Sequence, residues 1–400
     1  MGADGLRGLL LRSHPQSKTT PRIAIIGAGP IGRNNVPAIL YERDEEFGSR
    51  AHLGGTLDLS PETGQAAIKA AGVWDAFVAH SRPEGMQVLV TDRTGEPLFH
   101  WAPSPETKKT AHPEIDRRLL RRIIVDGAPA GSIKWGHALS SVAPGPETKE
   151  WELTFANGFK TVVDLVVGAD GGRSSVRPLV SDAEVQYTCI TGVEVSFETA
   201  KHPELAARVG HGSVYAYDDY KSITAQRTGD GRVRIYALDE EAFARLYATE
   251  GPERMMEHTL SYFGDWAPWL CELVAVADRN AVYPRSLYML PVGHTWVHRA
   301  GVTLTGDAMN LMTPFAGRGA NIAMSGAMQL GLALASVRNQ PIDEVDAKIA
   351  EHEKELCLHA AEDAEVTEHN MKAAMFAPHG SRDHFITVAK RFMVQPPILD

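Results

Sequence analysis

Only three cysteines occur in this 400-residue chain, Cys189, Cys271 and Cys357, and no two of them form a CxxC pair. That spacing argues against a disulfide framework or a thiolate zinc site and favours a reducing, cytoplasmic setting. No apolar run reaches the length of a membrane span. None of the 16 histidines stands in an HExxH pair, so no metal site is expected. The chain has no internal repeat, no low-complexity tract and no Ser-His-Asp arrangement. Basic residues are outnumbered, 40 Lys and Arg against 50 Asp and Glu, and the net charge of -10 argues against nucleic acid as the main partner. Hydrophobic residues at 44% and charged residues at 22% are ordinary for a globular protein, and the length suits two or three interleaved subdomains. Residues 1–19 carry Arg7, Arg12 and Lys18 around a short leucine run and read as a disordered leader.

What is present begins with a buried-type strand, Arg22 to Ile26, running into Gly27-Ala28-Gly29-Pro30-Ile31-Gly32. This GxGxxG follows a strand, as the dinucleotide fingerprint requires. Gly27 permits the tight turn, Gly29 lets backbone approach a pyrophosphate, and Gly32 allows close helix packing. A second strand, Ala38 to Glu42, ends in an acid suited to ribose hydroxyls. Between them the unit is short. Nine residues, Arg33 to Tyr41, separate Gly32 from Glu42, and Pro37 interrupts them. A fingerprint of this kind has about 20 residues before its acid, and a parallel crossover with its helix takes roughly 10–12 or more. The helix whose N-terminus would face the pyrophosphate is therefore truncated, and weak binding of the dinucleotide is expected.

Two further stretches repeat the strand-to-glycine pattern. Leu165-Val166-Val167 leads into Gly168-Ala169-Asp170-Gly171-Gly172, with Ser175 and Arg177 after it, a phosphate- or ribose-facing turn. The β-branched run from Gly301 ends in Gly306-Asp307, passes through Pro314-Phe315-Ala316-Gly317-Arg318-Gly319-Ala320-Asn321, and enters a small-residue helix. A helix start of that kind presents backbone N–H groups to an anion or an electron-rich ring. Gly54 and Gly55 precede Asp58, and Glu114 to Ile124 reads as a capped basic helix whose Arg117 and Arg121 share a face. Asn157-Gly158 marks a hairpin, the alternation from Val185 to Leu238 predicts a mixed or antiparallel sheet, and Glu344 to Met375 carries a 3.6-residue period.

In this order the three glycine motifs closely resemble those of the single-component FAD-dependent aromatic monooxygenases, the para-hydroxybenzoate and salicylate hydroxylase group. Gly54 to Leu59 with Gln65, and Pro314 to Gly317, are most similar to the tetracycline-inactivating branch and its fungal relatives. The resemblance covers residues 21 to 340. It implies an α/β fold in which a Rossmann-like FAD-binding domain (21–185 and 281–340) is interleaved with a mixed or antiparallel β-sheet substrate domain (186–280). A helical C-terminal segment (341–400) follows.

The resemblance also implies roles. FAD would be held by Gly27, Gly29, Gly32, Glu42, Asp58, Arg117, Arg121, Asp170, Gly306, Asp307, Pro314, Gly317, Gly319, Ala320 and Asn321. NADPH or NADH would be the electron donor, met by Arg50, and Phe315, Tyr215 and Tyr217 would line the pocket of an aromatic or polyketide-like substrate. The implied reaction is hydroxylation of a phenolic or polycyclic molecule by O2 through a C4a-hydroperoxyflavin, with no catalytic side chain and a monomer or weak homodimer as the working unit. A catalytically impaired flavoprotein and an oxidase or reductase on the same fold are the alternatives. Four positions depart from the group: Met309-Asn310 follows Gly-Asp-Ala, Arg318 stands where Gln is common, and Ala51 occupies the usual arginine site between Arg50 and His52.

Overall fold

The computed structural model describes residues 21–27, 38–50, 54–106, 112–147, 149–240, 246 and 249–376. The expected leader, the glycines Gly29 and Gly32, and the short segment Arg33 to Pro37 lie outside the described residues, as does 377–400.

The expected α/β architecture is what the chain forms. Its centre is a parallel sheet of β1 (Ile23–Ile26), β2 (Ala38–Tyr41), β7 (Ile133–Lys134), β11 (Leu165–Gly168) and β17 (Val302–Leu304), in the order β17-β11-β1-β2-β7. β1 and β11 are apolar throughout because both faces of the sheet are covered. On one face Ile23, Ile25, Leu165 and Val167 pack against Leu330 and Leu334 of α7 (Gly319–Ser336) and Val345 and Ile349 of α8 (Ile342–Met375). On the other, Ala24, Ile26 and Val166 meet Trp151, Leu153 and Phe155. Those three belong to β9 (Trp151–Phe155), the middle strand of a meander with β8 (Leu139–Pro144) and β10 (Lys160–Val163). The Asn157-Gly158 hairpin closes as its sequence predicts, with Gly158 at φ 84°. Arg22 staples the start of β1 to its neighbours through Asp164 and Glu150.

A seven-stranded sheet forms the second layer, in the order β16-β12-β15-β14-β13-β4-β5. It comprises β4 (Val88–Thr91), β5 (Pro97–Trp101), β12 (Gln186–Glu198), β13 (Ser213–Asp218), β14 (Lys221–Arg227), β15 (Arg232–Glu240) and β16 (Tyr283–Met289). Two strands from the 21–185 segment and one from the 281–340 segment thus join strands from 186–280. The parallel pairing of β4 with β13 carries the first half of the chain across. Alternation decides the two faces. Val193, Val195, Phe197, Val233, Ile235, Ala237, Ile223, Ala225, Val214 and Ala216 form a dry core with α4 (Pro203–Val209), α5 (Pro252–Tyr262) and α6 (Pro268–Ala275). Each such aliphatic side chain contributes roughly 1.5–3 kcal/mol when fully buried. The residues between them, Glu194, Arg234, Tyr236, Thr224, Gln226, Tyr215 and Tyr217, point to the opposite side.

One sequence expectation changes. The stretch from Glu114 is not helical at its start. Glu114–Asp116 is a strand, β6, paired antiparallel with β3 (Thr56–Asp58), and the helix α3 (Arg117–Asp126) begins only at Arg117. Cross-strand pairing of Glu114 with Asp58 overrides the local helix signal. The short helices α1 (Ala66–Ala70) and α2 (Trp74–His80) pack beside α3.

Along α8 the buried positions Val345, Ile349, His352, Leu356, Ala360, Ala364, Thr367, Met371 and Met375 keep the helical period that the sequence shows. This helix is pinned at one point by an ionic contact. Nδ1 of His298 lies 2.8 Å from Oε2 of Glu353, and Nε2 lies 3.4 Å from Oδ2 of Asp346. Burial is the largest influence on His298 and works against its charge. The hydrogen bond and charge of Glu353, with the charge of Asp346, outweigh it and hold the imidazole above its ordinary value. A raised folded value contributes stability that is complete below the unfolded value, about 6.5, and is lost as pH rises through the folded one. Thermal melts from about pH 6 to about pH 9 are therefore expected to fall more steeply for the native chain than for His298→Gln. Parallel curves would remove His298 as the cause.

Candidate active site

The site grows from the carboxyl ends of the parallel strands, where open α/β sheets bind ligands. β1 ends at Gly27, whose φ is 104° and whose N–H donates to the Tyr41 carbonyl at 2.9 Å. A Cβ here would lie 2.3 Å from the Ala169 carbonyl oxygen, so only glycine lets β1 and β11 turn side by side. β2 ends at Glu42, which is buried. β11 leads into the turn that holds Asp170, and β17 into the 3-10 turn Gly306–Ala308 that holds Asp307. The three motifs separated in sequence therefore stand at one sheet edge, in register across β1, β11 and β17.

Their side chains differ in how far the protein has already used them. Asp170 accepts hydrogen bonds from Ser174 Oγ at 2.5 Å and the Ser175 N–H at 2.7 Å, which folds its own turn. Arg177, buried, donates to the carbonyls of Gly172 at 2.5 Å and Ala308 at 3.1 Å and braces the second motif against the third. Asp307 faces the cavity and is exposed to it. Desolvation by the protein walls around it raises its carboxyl above the ordinary range, and the nearby charge of Arg117 partly offsets it. Arg117 reaches the cavity past Gly54, where a Cβ would meet its Cδ at 2.9 Å. Arg121, on the same helical face, sits instead 3.5 Å from Glu42 and 3.1 Å from Asp44 and clasps the acid at the end of β2. Arg50 closes a short 3-10 turn, Phe47–Arg50, that follows β2 in the chain.

The other end is set by α7. A 3-10 turn, Pro314–Ala316, leads to Gly317 at φ 66°, and α7 starts at Gly319 with its first backbone N–H groups toward the cavity. Asn321 is buried and its side chain is fully committed. Its Oδ1 accepts from the N–H groups of Ser60 at 2.8 Å and Gly64 at 3.2 Å and from Thr63 Oγ1, while Nδ2 donates to the Asp58 carbonyl at 2.7 Å. It fixes the end of β3 against the helix start, leaving only its backbone for a ligand. Asp58 opens to the cavity opposite Glu114. Burial pushes Asp58 up to about 6 against the pull of Arg82, and pushes Glu114 well above the ordinary range, helped by the charge of Asp58. Arg318 bonds Asp363 of α8 at 2.5 Å at the cavity rim.

Gly27, Glu42, Asp58, Glu114, Arg117, Arg121, Asp170, Asp307 and the start of α7 line one cavity of about 1880 Å³, above the roughly 300–1,000 Å³ of an ordinary small-molecule site. It runs from Glu42, Phe47 and His137 past Asp170 and Asp307 to Phe315, Tyr215 and Tyr217. Sequence reasoning named Tyr215 and Tyr217 of the sheet's polar face but missed Glu194, Gln226, Tyr236 and Arg285, which also line the cavity. Strict alternation in Val233-Arg234-Ile235-Tyr236-Ala237 was the available signal.

The residues present fit FAD. The cavity's volume exceeds that of an ordinary small-molecule site, as a dinucleotide with a second molecule requires. Glu42 stands at one end, a helix start at the other, and Asp307 between them is free to accept hydroxyl protons. Among the described residues no three His, Cys, Asp or Glu side chains are placed to hold a metal, and no helix is long and apolar enough to cross a membrane.

Comparison with known proteins agrees with this geometry. Residues 293–362 match the family model described as "FAD binding domain". The chain is 28% identical over 367 residues to monooxygenase penA of Penicillium thymicola, covering 77% of this chain and 83% of that one. It is 26% identical over 370 residues to monooxygenase asqM of Emericella nidulans, covering 77% and 82%. The crystal structure of tetracycline destructase Tet(51) superposes with a TM-score of 0.69 over 94% of this chain and 96% of that one, at 18% identity, a likeness of fold. In its motifs, its matched FAD-binding domain and these relatives, the chain is similar to the FAD-dependent monooxygenases.

Proposed function

We propose that the protein is an FAD- and NAD(P)H-dependent monooxygenase that hydroxylates a phenolic or polycyclic small molecule. The observation that carries this reading is the single cavity joining three glycine–acid strand ends to the polar face of a separate sheet. FAD, when bound, supplies the redox and oxygen-transfer chemistry. The chain's own groups do the rest. Glu42 and Asp307 take ribose and ribityl hydroxyls, and Gly27 admits the pyrophosphate. The backbone N–H groups from Gly317 to Asn321 offer a positive helix end to a developing negative charge without a cationic side chain. Arg117 offsets phosphate charge, and Arg50 meets the nicotinamide donor. Phe315, Tyr215 and Tyr217 form the apolar and aromatic wall against which a flat substrate is held away from water. No protein nucleophile is required.

The test is consumption of NADPH and O2 stimulated by an aromatic substrate, with mass analysis of product formed under isotopically labelled O2. One labelled oxygen atom per product is expected. Peroxide release with no label in any product would place the chain among the oxidases of this fold instead.

A second reading has its own observation. β1 and β2 lie parallel and in register from Ile23↔Ala38 to Ile26↔Tyr41, yet only residues 27–37 connect them. A crossover that short has no room for a full helix on the pyrophosphate. On this reading the chain is a catalytically impaired flavoprotein that loses FAD on purification.

A further inference from the structure

The backbone around Asp307 is held from outside its own turn. The 3-10 turn Gly306–Ala308 closes on the Gly306 carbonyl, which accepts the N–H groups of Met309 at 3.0 Å and Asn310 at 2.9 Å. The next two carbonyls belong to Ala308 and Met309, residues that are 0% and 2% exposed. Buried carbonyls need donors. Arg177 supplies the first, with Nη1 at 3.1 Å from the Ala308 oxygen. His294 supplies the second, with Nδ1 at 2.7 Å from the Met309 oxygen. His294 comes from the loop between β16 and β17 and stands behind the cavity, not among the residues that line it.

The ring of His294 is fixed on every side. It packs against Trp296, with ring centroids 5.7 Å apart. Its Nε2 lies 2.9 Å from Ser181 Oγ, and that oxygen accepts the Ala183 N–H at 3.1 Å. Burial, and then the charge of Arg177, hold the imidazole below its ordinary value against the pull of the Met309 carbonyl. At neutral pH the ring is therefore neutral and carries one N–H. A carbonyl can only accept, so the proton sits on Nδ1, and Nε2 accepts from the Ser181 hydroxyl. Donation runs one way, from Ser181 through His294 to Met309. On the other side of Asp307, the Thr305 N–H donates to the Gly168 carbonyl at 2.9 Å. The peptide planes before and after Asp307 are thus both clamped, and its carboxylate opens on the cavity between them.

We propose that His294 is a positioning residue for FAD: its Nδ1 hydrogen bond to Met309 fixes the turn that aims Asp307 at the flavin's ribityl hydroxyls. The proposal rests on the reading of Asp307 as a contact to FAD, and its test measures affinity rather than turnover. Each full-length chain is stripped of FAD, and FAD is titrated back by the quenching of its own fluorescence.

His294→Phe keeps the ring and its packing on Trp296 but has no N–H to give, and should weaken FAD about ten-fold, as a buried carbonyl left unpaired would. His294→Asn places an amide N–H where Nδ1 stands and should restore most of the native affinity. His294→Gln carries its amide one carbon further, toward Ser181, and should not. Asp307→Ala should weaken FAD by itself, and His294→Phe should add little in that background, because the group it aims is gone. Losses that add in full in the double variant, or an asparagine variant as poor as the glutamine one, overturn the assignment. The asparagine and glutamine pair decides it even if the phenylalanine variant does not fold. A loss in Asp307→Ala with none in His294→Phe overturns the assignment while leaving Asp307 as a contact to FAD. No loss in Asp307→Ala removes that contact, and the assignment falls with it.

Discussion

Insertion of roughly ten to fifteen helix-forming residues after Gly32, the length a crossover helix needs, is expected to convert a weakly flavinated protein into one with a full complement of FAD. The argument starts from pairing. β2 already lies beside β1 in the correct parallel register, so the insertion has no strand to move. Glu42 already faces the cavity beside Arg121 and Asp44, and Asp307 and the start of α7 are in place at the other end. On the reading of a truncated crossover, the insertion would supply the set of helix-terminal N–H groups that meet the pyrophosphate. Hydrogen bonds to charged groups are each worth about 1.5–3 kcal/mol, so two of them account for a hundred-fold or greater change in affinity. Absorbance of the purified protein near the flavin bands, with titration of FAD into the stripped protein, measures both forms. A native chain that already purifies with one FAD per protein would end the truncation argument.

Replacing Gly27 by Ala is expected to have the largest effect of any single substitution at the sheet edge. The added Cβ would meet Ala169 O at 2.3 Å, Ala169 C at 2.7 Å and Asp170 Cα at 3.0 Å. These are backbone atoms of the turn that follows β11, and no rotamer can relieve them. The φ of 104° adds conformational strain of about 1–3 kcal/mol, and overpacking adds about 1–3 kcal/mol more. Together they take a large share of the 5–15 kcal/mol that holds a typical domain. Gly171→Ala is the natural comparison. Gly171 also has a positive φ, 85°, but a Cβ there meets nothing within 4 Å. Urea unfolding should show a loss of about 3 kcal/mol or more for Gly27→Ala and clearly less for Gly171→Ala. Equal losses would mean that backbone conformation alone matters at these turns and that the close passage of β1 and β11 does not.

Much of this architecture was legible in the chain itself, for reasons that differ by element. The strands β1 and β11 are short continuous apolar runs bounded by glycine, a pattern that buried parallel strands produce. α8 keeps one stripe facing the core over its whole length, so its period survives in the residues. Glu114 misled because a carboxylate before a basic, apolar run is a common helix signal. Its true partner, Asp58, is set by strand pairing rather than by local preference. The cavity face of the large sheet was hidden for a related reason. Glu194, Tyr236 and Arg285 belong to three strands, and only the register of β12 with β15 and β16 brings them to one place. The commitment of Arg121 to Glu42 and of Asp170 to its own turn was likewise beyond spacing arguments, because hydrogen-bond competition is decided after folding.

Asn321 carries a consequence for the order in which the molecule is made. Its amide joins α7 to Asp58, Ser60, Thr63 and Gly64, across separations of 257 to 263 residues. Contacts between such distant residues form late, because a long loop must close before they give any return. During synthesis the first half of the chain emerges with the β3 end and its turn lacking this anchor. The edge of the site that would grip the isoalloxazine ring is completed only when α7 leaves the ribosome. FAD added early in refolding should therefore meet no formed edge here, and whatever FAD the chain holds should bind only after α7 has docked.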